Sequence, residues 1–492
     1  MTRLRPLVFW ISMTMLVIGT AVVWLRYGEW LRYGERPHPA AADATPPVAA
    51  GPIRTDTGFA FGRFGALTVI EPAGVPSDVV LYMSGEDGWN AAMTALAEPL
   101  AERGALVVGI DYARFAATVD RDGAPCLYLS SDFEDLGRAV QSHYRLASFM
   151  PPLLAGVGAG ATMAYAILVQ QPPGTFAGAL SLGFSPTVAL DKSLCGAYAL
   201  RSRPASTPHR EALDPTAAPA PWIVLQSAAA GGDVAAFVAA VPGARYVASS
   251  GAAADYRLQP SWRADYLAAF DALADAARRA DRSGAPTDLA DLPLVEVPAS
   301  GGTDDRMAVI LTGDGGWAGL DREVADTLAG RGIPVVGLST LKYFWSAKTP
   351  ERTAQDLDRI LTHYLQRWGK RSAIVIGYSM GAEVLPFALN RLPKATRAQI
   401  AYGAALAPGL NATFEFHVSN WMSDSDDGQP VAPEIDRLTV PLLCVAGEGD
   451  DDNACTRIDR QRFRVVTLPG NHHFGGDYER LTATILEGAA AR

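Results

Sequence analysis

From about residue 58 onward, short apolar runs alternate with longer segments of helical period. Residues 78–83, 105–110 and 152–155 read as strands, and the stretches that follow the first and third read as helices reaching Arg103 and Gln170. Strands alternating with helices predict an α/β domain with a mostly parallel sheet. The alanine-rich amphipathic segment 263–280 closes this domain, and Asp281-Arg282-Ser283-Gly284-Ala285-Pro286 has the composition of a linker. A strand at 294–297 opens a second region of the same pattern.

The amino terminus follows another rule. After Arg3 and Arg5, residues 7–25 are apolar and uncharged, about the ~20 residues that cross a bilayer. Trp24-Leu25-Arg26 follows where a small-residue cleavage site would be expected, and the run Ala40-Ala41-Ala42 comes late, so an uncleaved anchor is expected. Arg26, Arg32 and Arg36 beyond the span leave its orientation undecided by the positive-inside rule. Trp24-Leu25-Arg26-Tyr27-Gly28-Glu29 is repeated at once as Trp30-Leu31-Arg32-Tyr33-Gly34-Glu35, and residues 37–52 are rich in Pro and Ala. The expected layout is an anchor or signal at 1–25, a linker at 26–57, a first domain at 58–281 and a second at 282–492.

The two regions are copies. Leu81-Tyr82-Met83-Ser84-Gly85-Glu86-Asp87-Gly88-Trp89 matches Ile310-Leu311-Thr312-Gly313-Asp314-Gly315-Gly316-Trp317 with one residue of slippage. Each is followed by a helix ending Leu-Ala-x-Arg-Gly and by a strand containing Val-Val-Gly, at Val107-Val108-Gly109 and Val335-Val336-Gly337. Such self-similarity marks an internal duplication.

The second copy contains the apolar run 373–376 breaking into Gly377-Tyr378-Ser379-Met380-Gly381 and continuing as a helix. Gly-x-Ser-x-Gly between strand and helix reads as a nucleophile elbow, with the serine on a sharp turn and the helix N-terminus offering N–H groups to an oxyanion. A purely structural strand–turn–helix is the alternative. In the α/β-hydrolase fold the acid and the histidine follow the serine in that order, each beyond a strand. The strand near 440–446 ends in Gly447-Glu448-Gly449-Asp450-Asp451-Asp452, where Asp450 is the favoured acid and Asp451 and Asp452 are rivals. The strand 464–468 leads to Asn471-His472-His473-Phe474, which makes His472 the first candidate for general base and His473 the second. The oxyanion hole is expected from the N–H of Met380 and from Asp314 or Gly315 in the glycine-rich loop. The fold class expected is therefore two tandem α/β-hydrolase-like domains behind an N-terminal anchor.

The first copy has Gly156-Val157-Gly158-Ala159-Gly160 at the elbow, so its nucleophile is glycine. Gly-x-Gly-x-x-Ala also resembles a dinucleotide fingerprint, but two strands precede it and no acidic residue follows at the required distance. Opposite Asn471-His472-His473 stands Ser249-Ser250-Gly251, without histidine. The first domain reads as catalytically dead.

Composition narrows the rest. A net charge of -10 with no basic patch excludes nucleic acid as the main ligand. Cysteines 126, 195, 444 and 455 lack the C-x-x-C spacing of zinc sites, and leave either two bridges, Cys126–Cys195 and Cys444–Cys455, or four buried thiols. No metal or cofactor is expected. Leu341-Lys342-Tyr343-Phe344-Trp345-Ser346 reads as a possible entrance for an amphiphilic ligand, and Phe414-Glu415-Phe416-His417-Val418 alternates like a half-exposed strand. Ordinary surface packing is the competing reading of both.

Thr312-Gly313-Asp314-Gly315-Gly316-Trp317, Leu341-Lys342-Tyr343-Phe344-Trp345, Gly377-Tyr378-Ser379-Met380-Gly381-Ala382-Glu383-Val384-Leu385-Pro386-Phe387, Phe414-Glu415-Phe416-His417-Val418-Ser419 and the His472-His473-Phe474 loop together resemble the VirJ/AcvB virulence-protein family. The two-copy layout resembles its longer AcvB branch. The resemblance implies a periplasmic serine hydrolase; the uncleaved anchor expected from residues 7–25, a departure from the family pattern, would tether it to the inner membrane. It implies a carboxylic ester hydrolase that removes the aminoacyl group of lysyl-phosphatidylglycerol through an acyl-enzyme, so that the partners are an aminoacylated phospholipid and the membrane surface. VirJ-type members imply the alternative, a periplasmic accessory protein of type IV secretion with a relic triad, whose partners are secretion-system components.

Overall fold

A computed structural model describes residues 52–489 apart from 122, 208–209, 229–231, 253–254, 283–285, 318, 417–427 and 451. Residues 50–418 and 425–492 pack as one compact unit that holds two large sheets. The expected anchor, the hexapeptide repeat, Asp451 and His417 lie outside the described residues. Among the described residues no helix is long and apolar enough to cross a membrane.

The first sheet has eight strands: β1 (Arg54–Asp56), β2 (Thr68–Glu71), β3 (Asp78–Met83), β4 (Ala105–Ile110), β5 (Leu153–Val157), β6 (Gly178–Leu182), β7 (Trp222–Ser227) and β8 (Arg245–Ser249). Their spatial order is β1-β2-β4-β3-β5-β6-β7-β8. β2 runs antiparallel to β1 and β4, and the strands from β4 to β8 are parallel. The second sheet has seven: β9 (Leu294–Val297), β10 (Arg306–Leu311), β11 (Val335–Leu338), β12 (Ser372–Tyr378), β13 (Ile400–Leu406), β14 (Leu442–Gly447) and β15 (Arg464–Leu468). Its order, β9-β11-β10-β12-β13-β14-β15, repeats the first with the outermost strand left off, and β9 is again antiparallel to its neighbour. Both are α/β-hydrolase sheets.

The inner strands are apolar at nearly every position because both faces are covered. Val79, Leu81 and Met83 of β3 enter one core while Val80 and Tyr82 enter the core on the opposite face. Val309 and Leu311 of β10 likewise part from Ala308 and Ile310. With a side-chain period of two, each strand serves two helical layers at once. The repeated Trp and Val-Val-Gly motifs also acquire a reason. A methyl group on Gly109 would lie 2.4 Å from the Trp89 ring, and one on Gly337 would lie 2.0 Å from the Trp317 ring, so each tryptophan lies flat against a glycine of the neighbouring strand.

Three sequence readings need adjustment. The first sheet begins at Arg54 rather than at 58, because β1 pairs with β2 through Arg54↔Glu71 and its neighbours. Phe414 to Phe416 is not a strand; the chain bends at Phe414 and Glu415, where the Phe414 carbonyl accepts from Lys348 N–H at 2.8 Å and Phe416 N–H donates to the Phe344 carbonyl at 2.7 Å. Leu341, Tyr343 and Phe344 are buried in the second domain, and Trp345, partly buried, packs against Phe149 of the first, so the aromatic run is used in packing. Both expected disulfides are formed, Cys126–Cys195 and Cys444–Cys455.

Candidate active site

The chemistry gathers at the carboxyl ends of β10, β12, β14 and the loop after β15. β12 turns directly into helix α1 (Met380–Arg391), and Ser379 between them has φ 49° and ψ −120°, a conformation L-residues rarely adopt. A methyl group on Gly377 would stand 2.4 Å from the Gly381 carbonyl oxygen, and one on Gly381 would stand 2.1 Å from the carbonyl of Leu311. The flanking glycines are therefore what lets strand, turn and helix come this close.

His472 Nε2 lies 3.0 Å from Ser379 Oγ, and His472 Nδ1 lies 3.3 Å from Asp450 Oδ2. A neutral imidazole with its proton on Nδ1 would donate to Asp450 and accept from the serine hydroxyl, as a general base requires. His473 turns away. Its Nδ1 lies 2.8 Å from Tyr378 Oη, and burial, followed by the neighbouring His472, holds its pKa below the ordinary value. Asp452 is exposed and makes no contact with either histidine among the described bonds.

Asp450 is itself held. The amide of Asn453, fully buried, donates to Asp450 Oδ2 at 2.9 Å and accepts from Cys455 N–H at 2.9 Å. The Cys444–Cys455 bridge joins β14 to the far side of this loop. Sequence reading passed over Asn453; its signal was an Asn three residues beyond the acid, inside a loop closed by two cysteines.

The oxyanion loop is Thr312 to Gly316. Gly316 N–H donates to the Gly313 carbonyl at 3.0 Å, so Asp314 and Gly315 are the middle of a tight turn. A methyl group on Gly313 would lie 3.5 Å from Ser379 Cβ, which sets the loop against the nucleophile. The Gly313 carbonyl accepts from Thr340 Oγ1 at 2.6 Å and Thr312 Oγ1 at 2.9 Å, and the buried Asp321 of the helix Gly319–Gly330 lies beside the loop. Burial raises the Asp321 pKa well above the carboxylate range. The N–H groups of Asp314 and Gly315 donate to nothing among the described residues, and Met380 adds the first N–H of its helix.

The first domain has the same elbow without the chemistry. Gly158 has φ 56° and ψ −118°, and methyl groups on Gly156 and Gly160 would meet the Gly160 and Ser84 carbonyls at 2.2 and 2.4 Å. Among the described residues no group of three or more His, Cys, Asp or Glu is arranged to hold a metal ion.

Residues 305–492 match the family model of the bacterial virulence protein VirJ. Over those residues the chain is similar to the VirJ family. No curated protein is matched by the chain. Among solved structures, the chain is similar to MenH from S. aureus, with 13% identity, 39% of this chain and 96% of that chain covered, and a TM-score of 0.31. It is similar to Est1E from Butyrivibrio proteoclasticus with bound ferulic acid, at 16% identity, 40% and 94% coverage and a TM-score of 0.30. It is similar to a dienelactone hydrolase from Anabaena variabilis, at 15% identity, 45% and 97% coverage and a TM-score of 0.31. Each likeness spans about one domain's worth of chain, and the fold assignment of the second domain and its copy rests on the strand orders above.

Proposed function

We propose that the chain is a serine esterase that hydrolyses the aminoacyl ester of lysyl-phosphatidylglycerol. The observation that carries the proposal is the Ser379–His472–Asp450 relay, with both hydrogen bonds in place beside a loop that offers N–H groups. Ser379 Oγ attacks the ester carbonyl as its proton passes to His472 Nε2. The N–H groups of Met380 and of Asp314 or Gly315 take the charge that forms on the carbonyl oxygen. Collapse breaks the ester bond, and His472 returns the proton to the departing glycerol hydroxyl of phosphatidylglycerol. Water, deprotonated by the same imidazole, then cleaves the acyl-enzyme and releases lysine.

A cationic acyl group suits the surroundings. Glu383 stands one turn beyond Ser379, and burial, then the nearby Asp314, pushes its pKa up to about 8. A lysyl ammonium nearby would favour the ionised form of Glu383. The two disulfides support an oxidising compartment, and we place the chain in the periplasm, tethered to the inner membrane by residues 7–25.

The test is incubation of the purified full chain with vesicles containing lysyl-phosphatidylglycerol, measuring free lysine, beside Ser379→Ala. Lysine release by wild type and none by the variant is expected. Equal release by both removes Ser379 from the reaction. No release and no labelling of Ser379 by a fluorophosphonate would favour the secretion-accessory reading.

A further inference from the structure

The first domain reaches the second domain's active site through one buried side chain. Arg138, on the helix Leu129–His143, is 2% exposed and pairs with Glu134 one turn back. Gln171 Nε2 also donates to that carboxylate, at 3.4 Å. From this seat Arg138 Nη2 donates to the carbonyl of Asp314 at 3.3 Å, and its guanidinium lies 5.7 Å from the centre of the Phe416 ring. The contact is braced nearby, where Trp345 Nε1 donates to the Leu146 carbonyl at 2.7 Å and the Trp345 ring packs against Phe149 and Phe416.

The choice of carbonyl matters. In a trans peptide the C=O and the following N–H point in opposite directions. A guanidinium holding the Asp314 oxygen toward the first domain therefore turns the Gly315 N–H away from it. Within the loop the Gly313 carbonyl is tied by two threonine hydroxyls, but the Asp314–Gly315 peptide is the middle of the turn, and Gly315 is exposed. Glycine at that place allows the peptide to flip cheaply unless something outside the loop fixes it. Burying an arginine is costly even when it is paired, and a loop that must present an N–H to an oxyanion gives that burial a use.

We propose that Arg138 is a positioning residue, through which the inactive domain fixes the Asp314–Gly315 peptide and so the second oxyanion donor of the active domain. The inference rests on the serine-hydrolase reading. It makes the duplicated domain part of the catalytic apparatus without giving it any chemistry.

The experiment uses the full chain and a short-chain p-nitrophenyl ester, with active sites counted by the burst with an organophosphate ester so that misfolded protein drops out. Removal of a whole oxyanion donor costs about 10²–10³ in kcat. Arg138→Met, which leaves the donor in place but unfixed, is expected to lower kcat per active site about 10–100-fold with KM within about twofold. Arg138→Lys, which keeps the charge and the pair with Glu134 on a shorter reach, is expected to recover part of that and remain about fivefold low. If Arg138→Met does not fold, Arg138→Lys alone decides. Either folded variant turning over within about twofold of wild type per active site overturns the proposal, as does a loss confined to the number of active sites. A wild-type chain with no burst and no turnover instead defeats the hydrolase reading.

Discussion

The duplication supplies a built-in control for the strain at the nucleophile. Ser379 and Gly158 occupy the same turn, at φ 49°, ψ −120° and φ 56°, ψ −118°. A side chain held in such a sparsely populated region costs about 1–3 kcal/mol. Glycine removes that cost but adds about 0.5–1 kcal/mol of unfolded-state freedom. Replacing Ser379 by Ala or by Gly deletes the same hydrogen bond to His472, so the difference between the two variants isolates the backbone. Ser379→Gly should be more stable than Ser379→Ala by about 1 kcal/mol, or about 2–4 °C in the melting temperature of a domain this size. The reciprocal change, Gly158→Ser, should destabilise the first domain by a similar amount, because a Cβ there meets nothing within 4 Å and the effect is conformational alone. It should add no fluorophosphonate label to that borne by Ser379, since Ser249-Ser250-Gly251 stands where the second copy has Asn471-His472-His473. Calorimetry of the four full-length chains reads all of this. A Ser379→Gly variant that melts at or below Ser379→Ala would refute the argument that the serine is held under strain.

Two further outcomes follow from groups near the site. A carboxyl whose folded pKa is raised stabilises the fold most below its unfolded pKa, and that contribution is lost as pH rises through the folded value. For Glu383 the window runs from about 4.5 to about 8, so Glu383→Gln should flatten the fall in urea-denaturation midpoint between pH 5 and 8; an unchanged slope would show that the carboxyl is not buried as described. The Cys444–Cys455 bridge spans 11 residues and should contribute about 3 kcal/mol by loop closure. The double change Cys444→Ala, Cys455→Ala should therefore lower stability and, by loosening Asn453 and Asp450, lower kcat more than KM; kcat equal to wild type at a temperature where the variant is folded would separate the bridge from the acid loop.

Much of this architecture could be read along the chain, for reasons visible in the packing. The inner strands were legible because parallel strands covered on both faces are apolar along their length, as in β3 and β4, while the edge strands β9 and β15 were legible from short β-branched runs between loops. The duplication was legible because a tryptophan ring against a glycine constrains two positions far apart in sequence, and both copies keep the pair. The order serine, acid, histidine was legible because each stands just beyond a strand. The choice between adjacent residues was not. Whether His472 or His473 meets the serine depends on how a loop leaves β15. Asn453, Asp321 and Arg138 were invisible for a different reason: their residue types are ordinary on protein surfaces, and only burial and a distant partner give them meaning. Arg138 and the carbonyl it binds are 176 positions apart. The alternation of Phe414 and Phe416 misled because two aromatics around a bend, each packed on a ring of the same domain, show the same spacing in sequence as one face of a strand.

The comparison of the two elbows also changes what the pentapeptide motif reports. Gly156 and Gly160 meet backbone as closely as Gly377 and Gly381 do, although the first copy has no nucleophile to position. The glycines thus belong to the joint between sheet and helix, and they would be required by the fold whatever occupied the middle. Chemistry enters only with Ser379 and with the two loops that bring Asp450 and His472 to it. A domain can therefore lose its nucleophile and its histidine at little cost to its packing, and remain a rigid body able to present a side chain to its neighbour. Arg138 is such a side chain. It sits in a helix whose buried positions are otherwise set by the first domain's core, and it leaves that core to end on the turn where the second domain needs a peptide held in one orientation.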